Sequence, residues 1–203
     1  MAIDTLYVLV EEPSMETALE TLLPKMLRPD ICCEIRQFQC KDELLLRLPE
    51  RLAGYAQWLP PTAVVLVIVD RDDDDCKALK AQLEAIALKA GLATKAAPRQ
   101  ERFQIINRIV VEELEAWFFG DWPAMCKAYP KLDVHVPQRA GLRDPDAIKG
   151  GTWEALEREL NRKSYFKSGL RKLELARTVA PLMDPKRNRS ASFGQLRDAL
   201  ALL

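Results

Sequence analysis

Apolar residues follow two alternating patterns along the first part of the chain: short continuous runs, and longer stretches at helical spacing. The short runs predict four β-strands, at residues 5–10, 33–38, 63–69 and 105–111. The longer stretches predict helices at 14–27, 42–55, 76–90 and 112–119. The third run, AVVLVIV, is apolar at every position, which is typical of a central parallel strand covered by helices on both faces. We therefore expect an α/β fold with a mainly parallel sheet of about four strands flanked by helices.

The pattern changes near residue 121. Beyond it, shorter helical pieces are separated by prolines, the residue type that most often interrupts a helix. We expect residues 1–121 to form an α/β core and residues 122–203 to form a helical, partly basic C-terminal region packed on that core.

The charges are balanced overall but unevenly placed. The 203 residues include 30 Lys and Arg and 30 Asp and Glu, which excludes a net charge strong enough to draw the whole molecule onto a polyanion. Between Arg162 and Arg189, however, nine basic residues accompany two acidic ones. This excess suits either contact with a phosphate backbone or a solvated helical face, and the sequence leaves both open.

Membrane-spanning and disulfide-stabilised proteins are also disfavoured. The longest apolar run has seven residues, whereas a membrane-spanning helix needs about 20. The five cysteines are an odd number without C-x-x-C spacing, which argues against a disulfide framework and against a zinc site. We expect a cytoplasmic protein with no membrane partner.

Acidic residues follow the predicted strands directly. Glu11 comes after the first strand, and Asp70 and Asp72 come after the central strand. Open α/β sheets bind ligands at the carboxyl ends of their strands, so these three carboxylates are expected to converge. Their mutual repulsion would be relieved by protonation or by a divalent cation such as Mg²⁺ or Mn²⁺. The alternative, which we favour for Asp73 and Asp75, is that the acidic run 72–75 solvates a turn and caps the next helix.

A fourth carboxylate follows from helical projection. Over residues 112–119, Glu115 falls among Leu114, Trp117 and Phe118, whereas Glu113 points outward and Glu112 lies at the margin. A buried carboxylate is costly without a partner, so Glu115 should meet an arginine, backbone N–H groups or the same metal ion. Glu112 is the substitute candidate.

These residues resemble a known family. A strand ending in Glu and a central strand ending in Asp-x-Asp look like the TOPRIM domain of topoisomerases, primases and overcoming-lysogenization-defect nucleases. Nearly the whole chain resembles the DUF4276 family of bacterial TOPRIM-like proteins, in the segments VEEPSMETAL (10–19), CKDELLLRLP (40–49), VIVDRDDDDC (67–76), VEELEAWFFGD (111–121), YFK (165–167) and NRSASF (188–193). The resemblance implies a Rossmann-like, TOPRIM-like sheet with a helical C-terminal extension.

The resemblance also assigns site residues. It places Glu11 on the TOPRIM glutamate, Asp70 and Asp72 on the Asp-x-Asp pair, and Glu115 on the family's glutamate before Ala-Trp. Glu12 departs from the glycine that usually follows the TOPRIM glutamate, so a side chain now fills that turn.

Two classes of function compete. In the first, the protein is a metal-dependent phosphodiester hydrolase, a nuclease acting on DNA or RNA, with Glu11, Asp70, Asp72 and Glu115 as catalytic and metal-binding residues. Four basic residues would then neutralise the substrate phosphates: Lys41, Arg71, Lys163 and Lys167. The resemblance further suggests that the protein is the effector of a two-component phage-defence system with an ATPase partner.

In the second class of function, the chain is a non-catalytic binding or regulatory subunit of an ATPase complex. A nucleotide-binding protein is a weaker third reading, because no glycine-rich phosphate loop occurs.

Overall fold

The structure is a computed structural model that describes residues 2–99 and 102–203. Its sheet has four strands in the order β2-β1-β3-β4, and every neighbouring pair is parallel. The strands are β1 (Thr5–Val10), β2 (Cys32–Gln37), β3 (Ala63–Asp70) and β4 (Ile105–Val110). The predicted α/β architecture is confirmed, and each strand lies within one residue of its predicted bounds.

Helices connect the strands and make up the C-terminal region. Those of the first half are α1 (Pro13–Met26), α2 (Lys41–Trp58), α3 (Cys76–Lys89) and α4 (Glu115–Gly120). Those of the second half are α5 (Trp122–Ala128), α6 (Thr152–Asn161), α7 (Lys172–Val179) and α8 (Ala191–Leu200). In the described residues, none of the helices is both long and apolar enough to span a membrane.

The sheet is covered on both faces, as the AVVLVIV pattern predicts. All eight residues of β3 are buried. Because side chains alternate along a strand, Val64, Leu66 and Ile68 join a core with α1 and the C-terminal helices. Val65, Val67 and Val69 join a second core with α2 and α3. The central strand is therefore held rigidly, and so is Asp70 at its carboxyl end.

The C-terminal helices are fixed to α4 by the NRSASF segment. The Asn188 side-chain amide donates to the carbonyl of Trp117 at 2.8 Å, and the Trp117 indole N–H donates to the Ser192 hydroxyl at 3.1 Å. Ser190 caps α8 by accepting from the backbone N–H of Phe193. Helices of residues 122–203 thus share the core that covers one face of the sheet. The division at residue 121 into an α/β core and a helical C-terminal region stays a prediction.

Candidate functional site

Three acidic side chains are buried beyond the carboxyl ends of the strands. Glu11 follows β1, Asp70 ends the adjacent β3, and Glu115 begins α4 just after β4. Their exposed fractions are 6%, 3% and 0%. We call Glu11, Asp70 and Glu115 the carboxylate cluster. The sequence placed Glu115 on the packed face of its helix, and it is fully buried.

The carboxylate cluster is short of hydrogen-bond partners. Four of its oxygens are buried without one among the described residues: Glu11 Oε2, Asp70 Oδ1 and both Oε atoms of Glu115. Buried polar atoms are nearly always satisfied, because leaving one unpaired costs the full free energy of its desolvation. Four such oxygens at one sheet edge are therefore available to accept hydrogen bonds or to bind a cation.

The pKa values of all three acids in the carboxylate cluster are raised. Burial raises the pKa of Glu11 to about 7, and the negative charge of Asp72 adds to the shift. Burial also raises the pKa of Glu115 to about 7, although the nearby Lys172 ammonium opposes it. The pKa of Asp70 lies well above its ordinary value because the side chain is buried and faces the charges of Glu11 and Glu12. Without a cation, the cluster therefore retains protons near neutral pH.

Among the described residues, Lys172 is the one basic residue that forms an ion pair with a cluster carboxylate, and it is not among the residues that the sequence predicts for the site. Its Nζ lies 3.3 Å from Glu113 Oε1 and 4.0 Å from Glu115 Oε2. Burial lowers the pKa of this lysine, but the charges of Glu115, Glu12 and Glu113 outweigh burial and raise it above its usual value. Lys172 begins α7, and only the packing of the C-terminal helices brings it here, so no local sequence signal could identify it.

The expectation that Glu113 points outward is wrong. Its Oε2 accepts from the Thr152 hydroxyl and from the backbone N–H of Trp153, both at 3.2 Å, and its Oε1 faces Lys172. The helical projection fails because α4 begins at Glu115, three residues later than the pattern suggested. Glu112 has a φ of +65°, which lies outside helical geometry. Glu113 consequently occupies an irregular turn and holds the start of α6.

Asp72 lies at the rim and is bound by Lys41. The Lys41 ammonium is 2.5 Å from Asp72 Oδ2 and 2.9 Å from Asp74 Oδ2, and it also donates to the carbonyls of Asp70 and Arg71. The Asp72 side chain is about half exposed. Of the three carboxylates expected to converge, Glu11 and Asp70 are therefore both buried, while the charge of the half-exposed Asp72 adds to the raised pKa of Glu11.

The turns after β3 and β4 are joined to each other. Arg71 forms an ion pair with Glu112, and its backbone N–H donates to the carbonyl of Val110 at 2.9 Å. Asp72 has a φ of +48°, so both turns contain a non-glycine residue in left-handed geometry. Such strained residues persist where the surrounding structure holds them, and they are frequent at functional sites. Asp75 caps α3 by accepting from the N–H of Ala78 at 2.8 Å, in keeping with the capping alternative.

Lys163 and Lys167 lie in the loop between α6 and α7. Within residues 2–99 and 102–203, neither side chain forms an ion pair with an acidic residue. The loop runs directly into Lys172, and the Arg171 guanidinium packs over the Phe166 ring at 5.3 Å. Among the described residues, the two lysines therefore form no ion pair with the cluster acids, and their loop is connected to the cluster at Lys172.

The model of DUF4276, a domain of unknown function, matches residues 10–201. The chain belongs to the DUF4276 family. The match spans all eight residues predicted for the site, four acidic and four basic, together with Lys172. No curated protein and no solved structure matches this DUF4276 chain significantly. The TOPRIM-like description stays a prediction.

The donor set of this DUF4276 chain fits a hard divalent cation. Mg²⁺ and Mn²⁺ prefer carboxylate oxygens, and the carboxylate cluster offers four that accept no hydrogen bond from the described residues. In the part of the chain that the structure describes, no three acidic, histidine or cysteine side chains are already arranged around one point as metal ligands. Loading would therefore require side-chain rotation, which the unpaired oxygens permit without breaking hydrogen bonds.

Proposed function

We propose that this DUF4276 protein is a Mg²⁺- or Mn²⁺-dependent phosphodiester hydrolase that acts on nucleic acid. The observation that carries the proposal is the carboxylate cluster: three buried acids, with four unpartnered oxygens, at the carboxyl edge of a parallel sheet. This edge is where open α/β sheets bind their ligands. A purely structural cluster of this kind would be expected to have its oxygens satisfied by the protein.

Asp70, Glu115 and Glu11 would hold the cation, and Asp72 would join them after leaving Lys41. A bound divalent cation supplies Lewis acidity towards a phosphoryl oxygen and lowers the pKa of a bound water. Asp70 is fixed by the fully buried β3, so it sets the position of the site. Glu11 then accepts a proton from the attacking water or helps to position a second ion; both roles remain open for it.

Four basic residues are assigned to the phosphates in this proposal. Lys41 and Arg71 stand at the rim of the site, where they now pair with Asp72 and Glu112 and would exchange those partners for phosphate oxygens. Lys163 and Lys167 would contact the nucleic-acid backbone further away. The cytoplasmic location rests on the cysteine pattern and the short apolar runs of the sequence, and the ATPase partner and the role in phage defence rest on the family resemblance.

Cleavage assays test this function directly. The purified chain is incubated with supercoiled plasmid or with tRNA, in Mg²⁺, in Mn²⁺ or in EDTA. We expect metal-dependent cleavage that falls at least 100-fold in Asp70→Asn and in Glu115→Gln. Asp73→Asn is the matched control, because Asp73 lies exposed on the same turn as Asp72, and it should cleave as the wild type does. Cleavage that persists in EDTA or in Asp70→Asn would contradict the proposal.

The alternative is a non-catalytic binding or regulatory subunit of an ATPase complex. It is favoured by one observation. Within residues 2–99 and 102–203, no three acidic, histidine or cysteine side chains are already arranged around one point as metal ligands. Cation binding without cleavage, both alone and with a partner ATPase, would support this alternative.

A further inference from the structure

Strand β2 is an edge of the sheet with unused backbone groups. Cys32 and Phe38 donate their N–H groups to the carbonyls of Asp4 and Val10 in and beside β1, at 2.7 and 2.8 Å. Successive residues of a strand point their backbone groups to alternate sides, so Cys33, Ile35 and Gln37 direct theirs away from β1. Among the described residues, no strand lies on that side. Such an edge is a template for pairing with another strand.

The charges on this edge are self-complementary in one arrangement. A two-fold axis through Ile35 would place two β2 strands antiparallel, with Ile35 opposite Ile35 and Cys33 opposite Gln37. These are the residues with outward backbone groups, so each pair would exchange both N–H···O bonds. Glu34 of one copy would then face Arg36 of the other, in the closer, non-hydrogen-bonded positions. A shift of one residue in either direction would lose both charge pairs.

An exposed aromatic residue lies beside the same edge. Trp58 at the end of α2 is 56% exposed and packs edge-on against Tyr7, at 5.4 Å between ring centroids. Tyr7 is in register with Glu34, so Trp58 lies on the sheet face that carries the two charges. Most exposed hydrophobic residues need no explanation, but an indole next to an open strand edge provides apolar area that a paired strand and its helix can cover.

We propose that this protein forms a two-fold dimer by antiparallel pairing of β2 with β2 of a second copy. The dimer joins two four-stranded sheets into one of eight strands. Antiparallel pairing directs the carboxyl edges of the two sheets to opposite sides. The two carboxylate clusters therefore face away from each other, and each must engage its own ligand. This inference depends on the sheet edge and stands whether or not the cluster binds a cation.

Charge reversal tests the pairing and its register. Arg36→Glu places acids opposite acids in the dimer, and Glu34→Arg places bases opposite bases. In the monomer, these two exposed side chains form an ion pair only with each other among the described residues, at 3.3 Å, so both variants should fold. We expect sedimentation velocity to show twice the 23.0 kDa chain mass for the wild type and 23.0 kDa for each variant. Mixing the two variants should restore the dimer, because every facing pair is then opposite in charge.

The control is Lys89→Glu, at an exposed position of α3, the helix that packs against β4 at the opposite edge of the sheet. It should leave the wild-type mass unchanged. A wild type that stays at 23.0 kDa up to its solubility limit would overturn the proposal, whether the edge is unused or reserved for a different partner. A dimer that survives both single reversals, or single variants that stay apart on mixing, would equally overturn it.

Discussion

Few local contacts stabilise the ionised form of Asp70 and of the other two acids in the carboxylate cluster. Each of these side chains is buried. Among the described residues, Glu115 has one basic side chain within ion-pair distance, that of Lys172 at 4.0 Å. The buried Asp121 is the contrast, because Arg187 donates to both of its carboxylate oxygens, at 2.7 and 2.8 Å. Asp70 and Asp121 should therefore respond oppositely to loss of charge, since of these two only Asp121 forms an ion pair in the described residues.

Asp70→Asn should leave the metal-free protein as stable as the wild type or raise its melting temperature. The substitution keeps the side-chain shape and removes one of several repelling acidic groups. A gain of about 1 kcal/mol would raise the melting temperature by roughly 2–4 °C in a chain of this size. Thermal melting in EDTA measures it. Asp121→Asn is the matched control and should melt several degrees lower, because Arg187 loses its partner. A similar fall in Asp70→Asn would show that Asp70 is a structural residue.

The raised pKa of Glu115 predicts how the free energy of unfolding depends on pH. Its pKa is about 7 in the folded protein and near 4.5 in the unfolded chain, so the folded state binds more protons between these values. The protonated Glu115 side chain makes its full contribution to the free energy of unfolding below about pH 4.5. This contribution is lost as the pH rises through 7. At about 1.4 kcal/mol per pKa unit, the loss is roughly 3 kcal/mol.

Urea unfolding in EDTA at several pH values measures this effect. Glu115→Gln should show a flatter dependence than the wild type, by roughly 3 kcal/mol between pH 4.5 and 7.5. Glu50→Gln, at an exposed position of α2, should follow the wild-type curve. Parallel curves for wild type and Glu115→Gln would mean that Glu115 is ionised throughout, with Lys172 as its sufficient partner.

At the scale of elements, the turns after β3 and β4 shape the site. Both contain a left-handed non-glycine residue, Asp72 and Glu112, and a hydrogen bond of 3.2 Å from Asp72 N–H to the Glu112 carbonyl joins them. The left-handed conformation costs an ordinary residue about 1–2 kcal/mol, which glycine avoids. The energy is recovered by contacts between the turns, including the pair of Arg71 with Glu112.

Glu112→Gly should be more stable than Glu112→Ala by about 1 kcal/mol. Both variants lose the ion pair with Arg71, so their difference isolates the backbone at this position. The order is the reverse of that found in helices and strands, where alanine exceeds glycine. Urea unfolding of the two variants side by side measures it. If the alanine variant is equal or better, Glu112 does not occupy left-handed geometry in solution.

Elements were more predictable from the sequence than contacts between them. The strands followed from apolar runs, and Glu11 and Asp70 followed from their positions just after those runs. The start of α4 was missed because an apolar pattern does not reveal a left-handed residue such as Glu112. Glu113 was consequently assigned to the wrong face. Lys172 and the pairing of Asp72 with Lys41 depend on packing between distant segments, for which a single sequence carries no local signal.

At the scale of the whole molecule, balanced charge conceals an uneven distribution. The cluster and the acidic turn lie at the carboxyl edge of the sheet, whereas Lys163 and Lys167 lie in the loop that leads into α7. This loop leads directly to Lys172, which lies 4.0 Å from Glu115, so a nucleic acid held by the loop would pass close to the cluster. The same loop could instead bind an acidic partner protein, and salt dependence separates the two interpretations.

Replacing Lys163 and Lys167 with alanine should weaken nucleic-acid binding regardless of sequence. Each lost phosphate contact removes about 0.7–0.9 from the slope of log affinity against log salt, so the slope should flatten by about one to two units. Fluorescence anisotropy across a salt series measures it, with Arg47→Ala on α2 as the control. An unchanged slope would remove both lysines as phosphate contacts.

The central claim is that the carboxylate cluster is a divalent-cation site. Its most direct test is the anomalous difference map of a crystal grown with Mn²⁺. We predict a peak within about 2.0–2.4 Å of oxygens from Asp70, Glu115 and Glu11. A map with no peak there, or with its only peak on the exposed acidic turn at Asp73, would contradict the account.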